Sequence, residues 1–301
     1  MKYFSKFVTA LMLCVAFSSQ ATPINIVSPA APGGTLHSLA MAYSEYLTQN
    51  GFENYVTAHP GALGEIGLRE ATRLRDNVVY MFPWAWTALS PVVNEKPETY
   101  SKDLEFVLAP VMNAPMGFLS SNKNFKTFDE LVTYSKSNPL PCGVIAPHGF
   151  LELQQLNKVY HTQFEPIYYK SNAAVRLDLV NGALKCGYDS LASHISLHKD
   201  GKLNILSSAV KIDGVNVPLT SSVFKDFIKS NNWFGISIPK RSNLLENDRL
   251  MTVTRAFMKS KKLEEMGKQP GFVLDTPNPN IGSIMVQQTE YYRGFYSSSK
   301  K

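Results

Sequence analysis

Residues 23–51 read Pro23-Ile24-Asn25-Ile26-Val27-Ser28-Pro29-Ala30-Ala31-Pro32-Gly33-Gly34-Thr35-Leu36-His37-Ser38-Leu39-Ala40-Met41-Ala42-Tyr43-Ser44-Glu45-Tyr46-Leu47-Thr48-Gln49-Asn50-Gly51. The short apolar run Ile24 to Val27 predicts a buried strand. The Pro and Gly cluster Ala31-Pro32-Gly33-Gly34-Thr35 predicts a loop. Leu36, Leu39, Ala40, Tyr43 and Leu47 then recur at three- and four-residue spacing, which marks one face of a helix, and Gly51 supplies the left-handed residue that ends it.

The same unit of strand, glycine-rich corner and amphipathic helix recurs along the chain. Tyr55 to Ala58 leads into His59-Pro60-Gly61-Ala62-Leu63-Gly64 and a helix through Ala71 and Leu74, and Val78 to Phe82 leads into the loop Pro83-Trp84-Ala85-Trp86. A second set begins near Thr127, which with Glu130 makes a capping box for a helix to about Lys136. Cys142 to Ile145 is followed by the loop Ala146-Pro147-His148-Gly149, Phe164 to Ile167 by Lys170-Ser171-Asn172, and Lys185 to Tyr188 by Asp189-Ser190. Strands alternating with helices predict an α/β fold in which each lobe is a mainly parallel sheet flanked by helices. Between the sets, Met116 to Ser120 reads as a connecting strand and Trp233 to Ile238 as the return. Two crossings predict two lobes, residues 22–118 with 236–301 and residues 119–235, with a hinge and a ligand cleft between them.

The leader decides the compartment. Lys2 and Lys6 form a basic start, Phe7 to Phe17 is uncharged and apolar, and Ser19-Gln20-Ala21 ends in the small residues a signal peptidase accepts, so residues 1–21 are expected to be cleaved on export to the periplasm. The run falls short of the ~20 residues a membrane span needs. Cys14 lies inside the apolar stretch, too early for a lipid-attachment site. Removing Lys2 and Lys6 takes the formal charge from +6 to about +4. The basic residues are scattered rather than striped with aromatics, which argues against nucleic acid as a partner. Cys142 and Cys186 are the cysteines left after processing, both in strand-like stretches; in an oxidising compartment they pair, or stand as two buried thiols.

In open parallel sheets ligands sit beyond the carboxyl ends of the strands. Here those corners are glycine-rich: Gly33 with Gly34, and Gly61 with Gly64, let the backbone approach a ligand and present N–H groups at helix starts, which suits a carboxylate or phosphate.

The chain resembles the receptors of tripartite tricarboxylate transporters, the Bug family of extracytoplasmic solute-binding proteins. The resemblance runs through Pro23 to Val27 with Ala31 to Thr35, Pro60-Gly61-Ala62-Leu63-Gly64-Glu65-Ile66-Gly67, Tyr169-Lys170-Ser171, Asp178-Leu179-Val180-Asn181-Gly182, Asp189-Ser190, Gly201-Lys202-Leu203 and Trp233 to Pro239. It implies a two-lobed periplasmic-binding-protein-like fold that closes on a small carboxylate. It also implies a membrane permease as partner; a monomer with no cofactor and no catalysis is expected beside it. Gly33, Gly34, Thr35 and Ala62 fall on the family's ligand loops, as do Pro147, His148 and Gly149 in the second lobe, with Asp189 at a strand end facing the cleft; Gly61 and Asn172 share these corners. The chain departs from the pattern at His37, where the family usually has an aspartate, and at Trp84 and Trp86, where small hydroxyl residues are usual. These departures predict a more aromatic, less acidic pocket, suited to an aromatic or bulky carboxylate, unless Trp84 and Trp86 merely pack the lobe, a reading the sequence leaves equally open.

Two other readings attach to particular residues. His37, His59 and His148 lie on loops that should face the cleft and could together hold zinc, while His194 and His198, four apart, read as a solvated helix face. A hydrolase would need a G-x-S-x-G elbow, which the chain lacks, and Asp189, Ser190 and His148 form a triad on paper only. A sensor passing its signal to a membrane kinase shares every feature of a transport receptor.

Overall fold

In the computed structural model the described residues are 22–93, 103–121, 123–145, 147–169, 172–225, 231–269, 272–274 and 276–299. The expected leader, residues 1–21, lies outside them, as do Ala146, Lys170 and Ser171. Strand β1 (Ile24–Ser28) is wholly buried and runs parallel between β2 (Asn54–Ala58) and β3 (Val78–Pro83). Helix α1 (Thr35–Gln49) buries the expected face, Leu36, Leu39, Ala40, Tyr43 and Leu47. Leu39 and Leu47 have no exposed surface, and each contributes about 1.5–3 kcal/mol of burial. Helix α2 (Glu65–Leu74) carries the chain back to β3, and α3 (Trp84–Val93) follows it directly.

Strand β4 (Leu104–Ser121) ties the molecule together. Its first part pairs antiparallel with β9 (Asn231–Pro239), which also pairs antiparallel with β3, and with the short β10 (Val273–Leu274). From Met116 onward β4 changes partners and pairs antiparallel with β7 (Cys186–Ser190) and β8 (Leu203–Ile205). Strand β7 is parallel to β5 (Leu140–Val144), and β5 to β6 (Phe164–Tyr168), giving the order β2-β1-β3-β9-β4-β7-β5-β6. The expected parallel sheets are thus a three-stranded parallel core in each half, joined by antiparallel crossing strands. Helices α4 (Phe128–Ser137), α5 (Pro147–Tyr160), α6 (Asn172–Asn181) and α7 (Ile195–Lys199) belong to the second half. Helices α8 (Asp248–Ala256), α9 (Lys261–Gly267) and α10 (Ile281–Ser299) close the chain.

Each half has its own apolar core. Leu39, Tyr43, Met81, Ile236 and Phe257 anchor the first, while Phe118, Leu131, Phe164, Tyr188 and Phe224 anchor the second. The Thr127–Glu130 capping box forms as read, each side chain closing on the other's backbone N–H at the start of α4. Trp233 to Ile238, read as a return between halves, pairs along its length within the first sheet. A run buried on both faces reveals burial and leaves its neighbours open.

The partner change in β4 falls where the strand passes under the turn that follows β7. A Cβ on Gly117 would stand 2.1 Å from the Ser207 carbonyl oxygen and 2.8 Å from Leu191 Cδ1, so only glycine fits. Gly117→Val is expected to cost about 1–3 kcal/mol by overpacking. Thermal melting measures this directly, and an unchanged midpoint would show that β4 does not pass so close.

Candidate functional site

Strand register shows where the corners meet. Strand β3 ends at Pro83, opposite Phe234, which is itself opposite Met112 of β4; β7 ends at Ser190, opposite Met116. Being antiparallel to β9, β3 runs in the same sense as β4, whereas β7 runs against it. The carboxyl ends of the two parallel cores therefore point at each other across the partner change in β4, with roughly 13 Å of strand between them at ~3.3 Å per residue. The corners after β1, β2, β3, β5, β6 and β7 all open toward this junction.

In the first half, Gly33 (φ 83°) makes the turn, and Gly34 is the N-cap of α1. No side chain caps α1 and no acid lies in its first turn, so the amides of Thr35, Leu36 and His37 face the junction with their partial positive charge uncompensated. The second corner is tighter: Gly61 (φ 118°), Ala62 (φ 45°) and Gly64 (φ 79°) all have left-handed backbone. Gly67 lets α2 settle against both loops, since a Cβ there would meet Pro29 at 3.1 Å and the His59 carbonyl at 3.3 Å. Tyr80 donates to the Gly64 carbonyl at 3.2 Å, and its burial holds the phenol far above its ordinary pKa. Helix α2 has its own acid in the first turn: Glu65 is buried, accepts from Arg69 and also takes the Ser90 hydroxyl at 3.3 Å. Of the two glycine corners in the first half, the one before α1 leads into a helix start with no acid in its first turn.

In the second half, β5 leads to α5, which starts at Pro147, and β6 leads to α6, which starts at Asn172; neither helix has an acid in its first turn. The expected loops Pro83 to Trp86 and Ala146 to Gly149 are largely first turns of α3 and α5. Proline at the first helical position, as Pro147 is, needs no N–H partner and presets φ, a signal that reads as easily as a loop. Gly149 is buried, and a Cβ there would press on Val144 at 3.2 Å and Tyr188 at 3.4 Å. The side chains of Trp86, Pro147 and His148 lie outside what the structure describes.

Several expected ligand contacts have other duties. Trp84 is buried and stacked on Trp233, with ring centroids 4.2 Å apart and planes 27° apart, so its indole belongs to the first-half core. The expectation of an aromatic pocket loses that support. Asp189 is wholly buried at the end of β7: its Oδ1 accepts from Asn172 Nδ2 and the Ser190 N–H, each at 2.7 Å, and its Oδ2 lies 2.9 Å from His194 Nε2. It therefore offers no surface to a ligand. His194, read as part of a solvated helix face, has no exposed surface and caps α7, while His198 Nδ1 lies 3.2 Å from the Ile205 N–H. A four-residue spacing gave the wrong surroundings because the chain turns before α7 begins. Ser190 Oγ is buried and meets no hydrogen-bond partner among the described residues, and the His148 side chain of the paper triad lies outside them. His37 is half-buried with Nδ1 unpartnered, and His59 is half-buried beside the second corner. Among the described residues no group of three metal-ligating side chains stands together.

The two halves also meet directly. Leu89 and Val92 of α3, Leu151 of α5 and Tyr292 of α10 form one buried apolar cluster, with Phe150 and Tyr296 at its edge. Phe150 stacks on Tyr168 at 5.4 Å. Thr289 donates to the Ala88 carbonyl at 3.0 Å, which fixes α10 to α3. This seam, invisible to periodicity, closes one flank of the junction. A surface hollow of about 550 Å³ lined by Glu105, Lys240, Asp248 and Arg255, among others, lies at the opposite end of β4 and has none of the corners described above.

No protein-family profile matches the sequence, and no curated protein matches it. Solved structures do match. A periplasmic transporter superposes with a TM-score of 0.80 at 22% identity, over 92% of this chain and 97% of that one. The periplasmic binding protein BugD gives 0.77 at 20%, over 92% and 97% of the two chains. MatC from Rhodopseudomonas palustris, solved with bound malate, gives 0.76 at 14%, over 91% and 98%. At these identities the comparison establishes the fold: the chain is built like a periplasmic solute-binding protein, two α/β halves facing each other across crossing strands.

Proposed function

We propose that this protein is an exported receptor of the tripartite tricarboxylate type, which binds a small carboxylate between its halves and hands it to a membrane permease without altering it. The observation that carries the reading is the uncapped, acid-free start of α1 at the junction where both sets of strand ends converge. A carboxylate there would take the amides of Thr35 to His37 on its first-half side. It would meet the starts of α5 and α6, with Gly149 and Asn172, on the other. Hydrogen bonds to a charged group contribute about 1.5–3 kcal/mol each, so a few of them suffice for micromolar binding. The halves divide between Pro115 and Met116 and again before Asn231, and closure about this division favours the bound state through contacts made to both sides.

Other observations support the same reading. MatC was solved with malate and another Rhodopseudomonas palustris protein of this fold with adipate, both small carboxylates. No described helix is long and apolar enough to cross a membrane, which agrees with a receptor that works beside one.

Native mass spectrometry of protein purified without denaturation, followed by calorimetric titration with carboxylates, tests the proposal. Gly34→Trp is the sharpest variant. Gly34 has ordinary backbone angles (φ −79°, ψ 155°) and an added Cβ would stand 3.2 Å from the Ala31 carbonyl oxygen, so a shift of a few tenths of an ångström in that turn admits the change while the indole fills the approach to the α1 amides. Affinity is expected to fall by about 100-fold, the loss of one or two charged hydrogen bonds. Undiminished binding in a folded Gly34→Trp protein would place the site elsewhere.

A further inference from the structure

Resting on the receptor reading above, we infer that the cleft selects a carboxylate that also carries a hydrogen-bond donor, a hydroxyl or ammonium group, and that His194 and Asp189 are the positioning residues that set this preference through Asn172. The argument begins with the Asn172 amide, whose two ends are chemically distinct, one donating and one accepting. Asp189 Oδ1 already receives the Ser190 N–H at 2.7 Å, so it acts as an acceptor. The end of Asn172 that meets the same oxygen at 2.7 Å must then be Nδ2, and its carbonyl oxygen is forced to the other side. That Oδ1 meets no donor among the described residues, and Asn172 as a residue is partly exposed. It stands at the first residue of α6, on the corner that opens toward the junction.

His194 keeps the arrangement fixed. It is wholly buried and holds Asp189 Oδ2 at 2.9 Å, while its Nδ1 is buried without a partner. A half-satisfied imidazole is a poor way to fill a core, and an apolar side chain would suit the space better if space were all that mattered. Its use is to supply the third donor to a carboxylate that otherwise has only Asn172 and Ser190. Arg176, one turn along α6, donates to the Ser193 carbonyl at 3.0 Å, so α6 and the turn carrying His194 move as one piece. A donating Nδ2 held on a carboxylate polarises the amide and strengthens its oxygen as an acceptor. The negative charge behind it repels a ligand carboxylate, which is drawn instead to the α1 amides, and favours a donor at this end of the cleft.

The test is calorimetric titration of the full exported chain with matched pairs: L-malate and L-aspartate each against succinate, lactate against propionate, and mandelate against phenylacetate. Malate and aspartate separate a hydroxyl from an ammonium preference. The donor-bearing member of at least one pair is expected to bind about tenfold more tightly than its partner, the worth of one well-formed hydrogen bond. In Asn172→Ala and in His194→Phe the ratio should fall toward one, and His194→Gln, which keeps a donor for Asp189 Oδ2, should restore it. A purely structural role for His194 would weaken both members of a pair equally and leave the ratio intact, which would overturn its assignment. Equal binding within every pair by the wild type, or a preference that survives Asn172→Ala, would overturn the inference while leaving the receptor reading standing. A folded protein that binds no carboxylate in any pair would overturn both.

Discussion

Cys142→Ala combined with Cys186→Ala is expected to lower the unfolding temperature by roughly 10 °C. The two cysteines face each other in the parallel pairing of β5 and β7, with Cα atoms 4.4 Å apart, and are joined by a disulfide that closes a loop of sequence separation 44. The chain-entropy model assigns such a loop about 4 kcal/mol, and a chain of this size shifts by about 2–4 °C per kcal/mol. The bridge settles the alternative of two separate buried thiols. It also bears on the site, because β5 leads into the start of α5 and β7 ends in Asp189. Circular dichroism melting of the wild type with and without a thiol reductant, beside the double variant, measures the effect. The reduced wild type should melt with the variant, and three coincident curves would mean that the bridge contributes nothing.

Tyr292→Ala is expected to cost about 3–5 kcal/mol of stability, the usual penalty for emptying a large buried aromatic site, and to weaken ligand binding as well. Tyr292 is almost entirely buried between α3 of the first half and α5 of the second, so its removal loosens the seam that holds the halves together. If only a fraction of molecules then presents a closed cleft, apparent affinity falls by that fraction. Leu47→Ala is the control, since Leu47 is equally buried but lies within the core of the first half alone. It should lower the melting temperature and leave affinity as it was. Equal effects of the two variants on binding would show that the seam does not govern closure.

How much of this could be read from residues in order depended on what each residue answers to. Gly33 and Gly61 were legible because a positive φ favours glycine whatever the rest of the fold does. Helix α1 and the Thr127–Glu130 cap were legible because their determinants lie within a few residues. Trp84 was left open between pocket and core for the opposite reason. An aromatic residue after a strand can line a cleft or fill a core, and only the position of Trp233, far along the chain, decides between them. His194 was misplaced in the same way, its partner Asp189 being hidden beneath a turn that breaks the helical spacing.

The alternation of strand and helix, the glycine corners and the burial of β1 were written in the order of residues, because periodicity and backbone sterics are local and leave their mark residue by residue. Tertiary structure alone decided that β4 changes partners at Met116, that α3, α5 and α10 close a seam, and that Asn172, Asp189 and His194 form one hydrogen-bonded chain. Those are contacts between residues distant in sequence. Their free energy depends on which surfaces meet, a property of the packed chain that no short window contains.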